Sequence, residues 1–557
     1  MQPSITCYGV LVVKRKLPLP LVLLLLAACL ENLAENSAPN PQSVSVLTQH
    51  NDNTRSGWNN NETALTTSNV NVQQFGEVFT LPVDDQVYAQ PLVVGHVSAG
   101  EGPHNVVYIA TVNNTLYAYD GDNGRLYWQR SFTVPGMRPP RHTDMRGGYC
   151  DSSYQDFSGN IGIVGTPVID AARGTMYFVA RSTTGSTFVQ YLHAVNIVDG
   201  NDIAGSPTQI TATYRGNGDG SVNGVIAFDA RRQNQRQGLT LLNGFVYVTF
   251  SSHCDAGPYH GWILGYNAAT LQQQVVYNAT PNGYAGGMWE SGTGMAADAE
   301  GNLYVVTGNG TVGNTGDPTS PTNRAESALK LTPAGSTLRV VSYFTPYDYQ
   351  FLDANDLDYG AMGAFLIPNS AYYLTGAKNG KLYLLNKDAM GGYLPSSNQV
   401  QQVVPLGISA NMHCQAAYYK GGSKEFIYVW SENDPLRAIP FDRASDLLNP
   451  QGQVVSSGGG PTGQSGAVLS VSSNGSKDGT GILWASYAFS GDAEHTVSPG
   501  ILRAFDANDV TKELWNSRQN VSRDGVGNYA KFSAPTIADG HVYLPTFSNR
   551  VVVYGLR

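Results

Sequence analysis

The sequence predicts an all-β protein: an eight-bladed β-propeller of four-stranded antiparallel blades, with the ring closed by an N-terminal strand. Three observations carry that expectation. A two-part unit recurs along the chain, an apolar run opened by Gly or Ala and Pro, then an alternating strand pair that ends in a turn and, in the best copies, a Trp. Period-2 alternation between turn residues specifies strands, and recurrence every ~40–70 residues specifies blades. Helical periodicity is nearly absent, while glycine (62 of 557) and tyrosine (32) are frequent, as short strands and many turns require.

The clearest copy runs from Gln90-Pro91-Leu92-Val93-Val94 through Asn105–Thr111 to Leu116–Trp128. Further copies open at Gly165-Thr166-Pro167, Gly238-Leu239-Thr240, Gly294-Met295-Ala296, Gly363-Ala364-Phe365, Cys414-Gln415-Ala416, Gly466-Ala467-Val468 and Ser533-Ala534-Pro535. The last stops at Tyr554 with three strands. The unassigned segment Glu77–Pro82 is expected to supply its fourth and so remove an open sheet edge. Residues 46–557 are thus read as one ring, because each blade packs only on its neighbours.

Ahead of the ring, Lys14-Arg15-Lys16 precedes an apolar run from Leu17 to Leu26 and then Ala27-Ala28-Cys29. The run is too short for a permanent membrane span and reads as a signal peptide over residues 1–28. Small residues followed by Cys resemble a bacterial lipobox, with Cys29 lipidated and residues 29–45 as a flexible tether. The chain is therefore expected to be exported, periplasmic or on the cell surface, touching a membrane only through a lipid anchor.

Charged residues are 13% of the chain and the net charge is −9, so no basic stripe is available for nucleic acid. The low charge is read as a surface of Asn, Gln, Ser and Thr, with adaptation to an acidic exterior as the alternative. Beyond the export segment the cysteines are Cys150, Cys254 and Cys414, which allow one disulfide and one free thiol without saying which. His253-Cys254, with Asp255 and His260 nearby, and His413-Cys414 are read as loop packing and a disulfide, because no two-residue Cys spacing supports a metal; a soft-ligand metal site is the alternative.

Ala118-Tyr119-Asp120 to Trp128, and Asn53–Trp58 followed by Ser68-Asn69-Val70, resemble the pyrroloquinoline-quinone (PQQ) type of eight-bladed propeller found in quinoprotein alcohol dehydrogenases and their non-enzymatic relatives. The resemblance implies site residues. Trp289 corresponds to the plate beneath a flat cofactor, and Asn309, in Thr307-Gly308-Asn309, to a calcium ligand. Asn355-Asp356-Leu357-Asp358-Tyr359 resembles the segment of the general base, with Asp358 as base and Asp356 as second carboxylate and metal ligand. Lys378 corresponds to the cation aimed at the quinone oxygens, Asp255 to the acidic calcium ligand, and His260 to the cofactor-binding Arg after it. PQQ and calcium are the implied cofactors.

There are departures. No adjacent Cys pair exists, the Asp-Tyr stretch ends in Gly360, and its spacing is one residue short of the family's. No Cys-x-x-Cys-His haem site is present, so electrons would leave through an external acceptor. The first function expected is oxidation of an alcohol, sugar or polyol, the partner being a small-molecule substrate. Two alternatives stand beside it: a non-catalytic scaffold binding an envelope protein, similar to the lipid-anchored scaffold of outer-membrane assembly, and a cofactor-free hydrolase resembling the tetrathionate hydrolases of acidophiles.

Overall fold

The computed structural model describes residues 44–557 apart from 101, 148, 408 and 409, and Val44–Arg557 form one compact unit. The expected signal peptide, Cys29 and most of the tether lie outside the described residues.

Eight blade sheets, antiparallel but for Trp58–Asn59 added parallel to one of them, follow one another along the chain, beside a two-stranded ribbon of Thr213–Arg215 and Val225–Ala227. We label them blade 1 (residues 92–131), 2 (168–209), 3 (233–278), 4 (296–344), 5 (365–405), 6 (417–455), 7 (468–516) and 8 (536–556). All eight expected openings fall at or just before an inner strand. The fourth strand of blade 8 is Phe75–Pro82, which pairs antiparallel with Arg550–Leu556. Strand pairing between the two ends of the chain closes the ring where a free edge would otherwise invite aggregation.

The alternation in the sequence has a direct reading. In blade 4, Leu303 and Val305 pack toward blade 3, while Tyr304 and Val306 pack toward blade 5. Both faces of each blade are buried, and eight apolar clusters fill the eight gaps between neighbouring blades. A recurrent tyrosine links blades as well. Tyr108 donates to the Ile197 carbonyl (2.9 Å), Tyr177 to Ala268 (2.7 Å), Tyr428 to Ala507, and Tyr543 of blade 8 to Gly121 of blade 1 (2.9 Å). Trp128 docks on the turn of blade 2, its Nε1 donating to Ile197 O at 3.2 Å. A Cβ on Gly200 would come within 2.8 Å of that indole, so glycine is required there.

One feature was not expected from the sequence. Residues 46–59 wind around the ring axis and meet the inner strands in turn. Val46 bridges Val93, Leu47 O accepts from Ile169, and Asn53 Nδ2 donates to Leu241 O. Asn53 O accepts from Ala297, Thr54 O from Leu366, Ser56 O from Tyr418 and Gly57 O from Val471, and Asn59 Nδ2 donates to Ile537 O. Every blade is touched once or more. At the centre Arg55 is fully buried and donates to Gln49 O, Met295 O, Thr48 Oγ1 and Thr240 Oγ1. This hub fills the channel and leaves a hollow above it.

Candidate active site

The hollow is lined by the segments that lead into successive inner strands, together with turns from blades 3 and 5. Its volume is about 1000 Å³, open solvent included. Gln415 Nε2 donates to Ser291 O (2.7 Å), and Gln415 Oε1 accepts from Gln49 (3.0 Å), so the hub lies just beneath the floor.

Asp255, Trp289, Asp356, Asp358 and Lys378 all line this one hollow. Asp358 follows the short helix Tyr349–Ala354 in the connection from blade 4 to blade 5, and Lys378 follows the strand Tyr372–Gly376. Their side chains meet at 2.7 Å, and Lys378 also reaches Asp356 Oδ2 at 3.1 Å. Asn309 joins them from blade 4: its backbone N–H donates to Asp358 Oδ1 (2.9 Å) and its Nδ2 to Asp356 Oδ1 (2.9 Å). Gly308 is needed for this, since a Cβ there would sit 2.5 Å from Asp358 Oδ1. Burial alone would raise the Asp358 pKa, but Lys378 and the Asn309 N–H outweigh it and hold the carboxyl below its ordinary value. Burial likewise opposes the Lys378 ammonium, and the two aspartates hold it above its usual range.

Asp255 behaves differently. Its carboxylate is exposed to the hollow within the cup of the ring, and the desolvation of that recess together with the negative charge of Asp358 pushes its pKa up to about 7. Tyr259 donates to it at 2.6 Å. The preceding residue, Cys254, is disulfide-bonded to Cys150, and Cys414 is buried with a free thiol. Cys254 itself lines the hollow, so a disulfide stands in its wall.

His260 does not belong here. Its ring nitrogens face Asp219 O (2.8 Å) and Thr280 Oγ1 (3.0 Å), and it lines a separate groove between blades 2 and 3. Its assignment as a cofactor residue is corrected: both ring nitrogens are occupied within the protein.

Further residues complete the site, among them His413, which the sequence places in loop packing. Arg236, His413 and Lys531 line the hollow, as do Asp156 and Phe532. His413 Nδ1 lies 2.8 Å from Glu432. Burial pulls the Lys531 ammonium down to about 8. Behind Asp358, Glu326 is fully buried, and burial together with the charge of Asp358 pushes its pKa well up. A signal for several of these was present, because Arg236, Lys531 and His413 stand one or two residues ahead of blade-opening motifs. Left-handed backbone gathers here too: Cys254, Asp255, Asp356 and Phe532 all have φ between 52° and 65°. Strain of this kind concentrates at functional sites.

The donor set suits one of the implied cofactors better than the other. A flat acidic quinone fits: Trp289 offers an aromatic face with an unpartnered Nε1, and Arg236 and Lys531 supply positive charge. Calcium does not fit this arrangement. The Lys378 ammonium stands between the two carboxylates a divalent ion would need. Asp255 is held by Tyr259, and Asn309 turns its amide N–H toward Asp356 while its buried Oδ1 has no partner. Among the described residues no three His, Cys, Asp or Glu side chains gather into a metal site. Asp255, Asn309 and Asp356 therefore share one neighbourhood without forming a ligand set.

No family model and no curated protein matches the sequence. Solved structures do. A quinohemoprotein alcohol dehydrogenase from Pseudomonas putida superposes with a TM-score of 0.55 at 13% identity, covering 93% of this chain and 80% of the other. That from Comamonas testosteroni gives 0.53 at 13% identity, covering 94% and 82%. A europium-containing methanol dehydrogenase gives 0.54 at 12% identity, covering 93% and 99%. The fold is thus the eight-bladed propeller shared with quinoprotein dehydrogenases, and identity this low speaks for the fold alone.

Proposed function

We propose that the hollow oxidises an alcohol, sugar or polyol with a bound quinone of the PQQ type and without calcium. The observation that carries this reading is the Asp358–Lys378 pair on the wall of a hollow that also presents Trp289. Asp358 is ionised and can accept the hydroxyl proton of a substrate. Lys378 stays protonated, orients that carboxylate and offers a charged hydrogen bond to an oxygen that gains negative charge. The hub closes the channel below, so substrate approaches from the open face. When bound, the quinone would supply the two-electron acceptor. The disulfide Cys150–Cys254 supports the proposal that the chain works outside the cytoplasm, anchored through Cys29.

The test is reconstitution. Protein incubated with PQQ and desalted should retain quinone absorbance and reduce an artificial dye when given an alcohol. If folded protein does neither, the dehydrogenase reading fails.

A cofactor-free hydrolase has one observation in its favour. Asp255, near pKa 7, and ionised Asp358 are two carboxyl groups whose environments drive them apart, as an acid and a base require. Hydrolytic activity that survives exhaustive removal of quinone and vanishes in Asp255→Asn and Asp358→Asn would select it.

A further inference from the structure

We infer that Arg236 and Lys531 form a subsite for a carboxylate group on the wall of the central hollow, separate from the Asp358–Lys378 pair. The inference rests on the reading that the hollow takes a small molecule, and it adds the chemical class that molecule carries.

Arg236 is held by stacking. Its guanidinium carbon lies 4.7 Å from the centre of the Phe532 ring and 5.3 Å from that of Trp289. Its Nε donates to Trp289 O at 3.1 Å. Among the described residues, Nη1 and Nη2 meet no protein acceptor. A fixed guanidinium whose outer N–H groups are unused presents a planar fork, which matches the two oxygens of a carboxylate.

Lys531 comes from the residue before Phe532 and is 4% exposed. Its ammonium donates to the Glu494 carbonyl at 2.5 Å and to no other group among the described residues, leaving N–H donors free. Neither cation has a carboxylate partner. Asp156 lines the same hollow but lies 3.4 Å from His495, and no ion pair joins it to Arg236 or Lys531. Glu494 offers Lys531 its backbone, while its carboxylate lies near His495 (3.8 Å). Lys378 cannot serve the same anion, being engaged by Asp356 and Asp358.

A buried ammonium and a half-buried guanidinium that share one wall, with Asp156 near both but in direct contact with neither, destabilise the empty protein. An anion arriving between them removes that cost. Surface cations would be indifferent, whereas these are desolvated and held in place: Phe532 has φ 65°, a left-handed backbone that sets its ring beside Arg236. The carboxylate can come from the quinone itself or from an acidic substrate, such as a hydroxy acid or sugar acid.

Two probes separate these sources. Binding of oxalate, a carboxylate without a quinone, is measured by calorimetry, with glycerol as the neutral control; binding of PQQ is measured by tryptophan quenching. Wild type, Arg236→Gln, Arg236→Lys and Lys531→Met are compared, each checked for native circular dichroism. Oxalate should bind wild type at least ten-fold more tightly than Arg236→Gln or Lys531→Met, and glycerol should not bind. Arg236→Lys, which keeps the charge and loses the fork, should fall between. If PQQ weakens in the same variants and competes with oxalate, the subsite serves the quinone. If PQQ binds all variants alike while oxalate does not, it serves the substrate. Oxalate binding without PQQ binding would keep the subsite and sink the quinone reading. Equal oxalate affinity in the four folded proteins, or no oxalate binding to wild type, overturns the inference. Without ligand, Arg236→Gln and Lys531→Met should melt at or above the wild-type temperature; a sharp fall in both would mark a structural role and also overturn it.

Discussion

The charge pair Asp358–Lys378 sets the behaviour of the site at the scale of single residues. Asp358→Asn preserves volume and removes the base, so turnover should drop by about 10²–10⁴-fold with little change in fold. Lys378→Met should be worse for stability. It leaves Asp358 buried without its cation, a loss on the order of 3–5 kcal/mol by denaturant melts. Combining the two changes should recover much of that loss, because both charges leave together; simple additivity would show that the pair is not coupled. Glu290 gives a pH signature. It is fully buried, Oε1 accepts from Val306 N (3.0 Å), Oε2 has no partner, and burial pushes its pKa up to about 8. An acid whose folded pKa is raised contributes stability below its unfolded value near 4.5 and loses it as pH climbs through 8. The melting temperature should therefore fall between pH 5 and pH 8, and Glu290→Gln, which keeps the acceptor for Val306, should flatten that slope. An unchanged slope would remove Glu290 as its source.

Among the elements, the hub is the most distinctive. Arg55 satisfies carbonyls and hydroxyls from two blades and from the hub itself. Arg55→Met would leave several of these buried acceptors unpaired, each costing about 1–3 kcal/mol. The expected result is faster amide exchange across residues 46–59, ahead of the blade strands. Exchange that rises equally everywhere would mean that the hub is not a separable unit. The hub also explains why its segment was hard to read. Its backbone bonds go to a different strand at almost every residue, so it has neither the period of a helix nor that of a strand. The blades were legible for the opposite reason. Each repeats the same alternation because both of its faces meet a neighbour, and Leu303/Val305 against Tyr304/Val306 is that rule in four residues.

Over the whole molecule, closure is shared among three ties: the Phe75–Pro82 strand, the Tyr543–Gly121 bond and the apolar cluster between blades 8 and 1. Deleting residues 550–557 removes the strand to which Phe75–Pro82 pairs. The ring should then expose a sheet edge and aggregate, as light scattering would show; a soluble monomer would mean that closure is dispensable. The disulfide is a second global tie, joining residues 104 apart in sequence. Its reduction should cost on the order of 3–5 kcal/mol and loosen the wall that Cys254 and Asp255 share, weakening any ligand of the hollow.

Alternation, turn chemistry and the recurrence of one strand unit determined the ring, its eight blades and its closing strand, because those features are local and repeat. The order of Trp289, Asn309, Asp358 and Lys378 along the chain indicated a shared site, and the fold brought them together. Only the tertiary structure decided which charges meet. It set Lys378 between two aspartates, moved His260 out of the site, paired Cys150 with Cys254, and left Arg236 and Lys531 facing the hollow without a carboxylate in direct contact. Charge pairing depends on distances between residues far apart in sequence, and no local pattern encodes those distances.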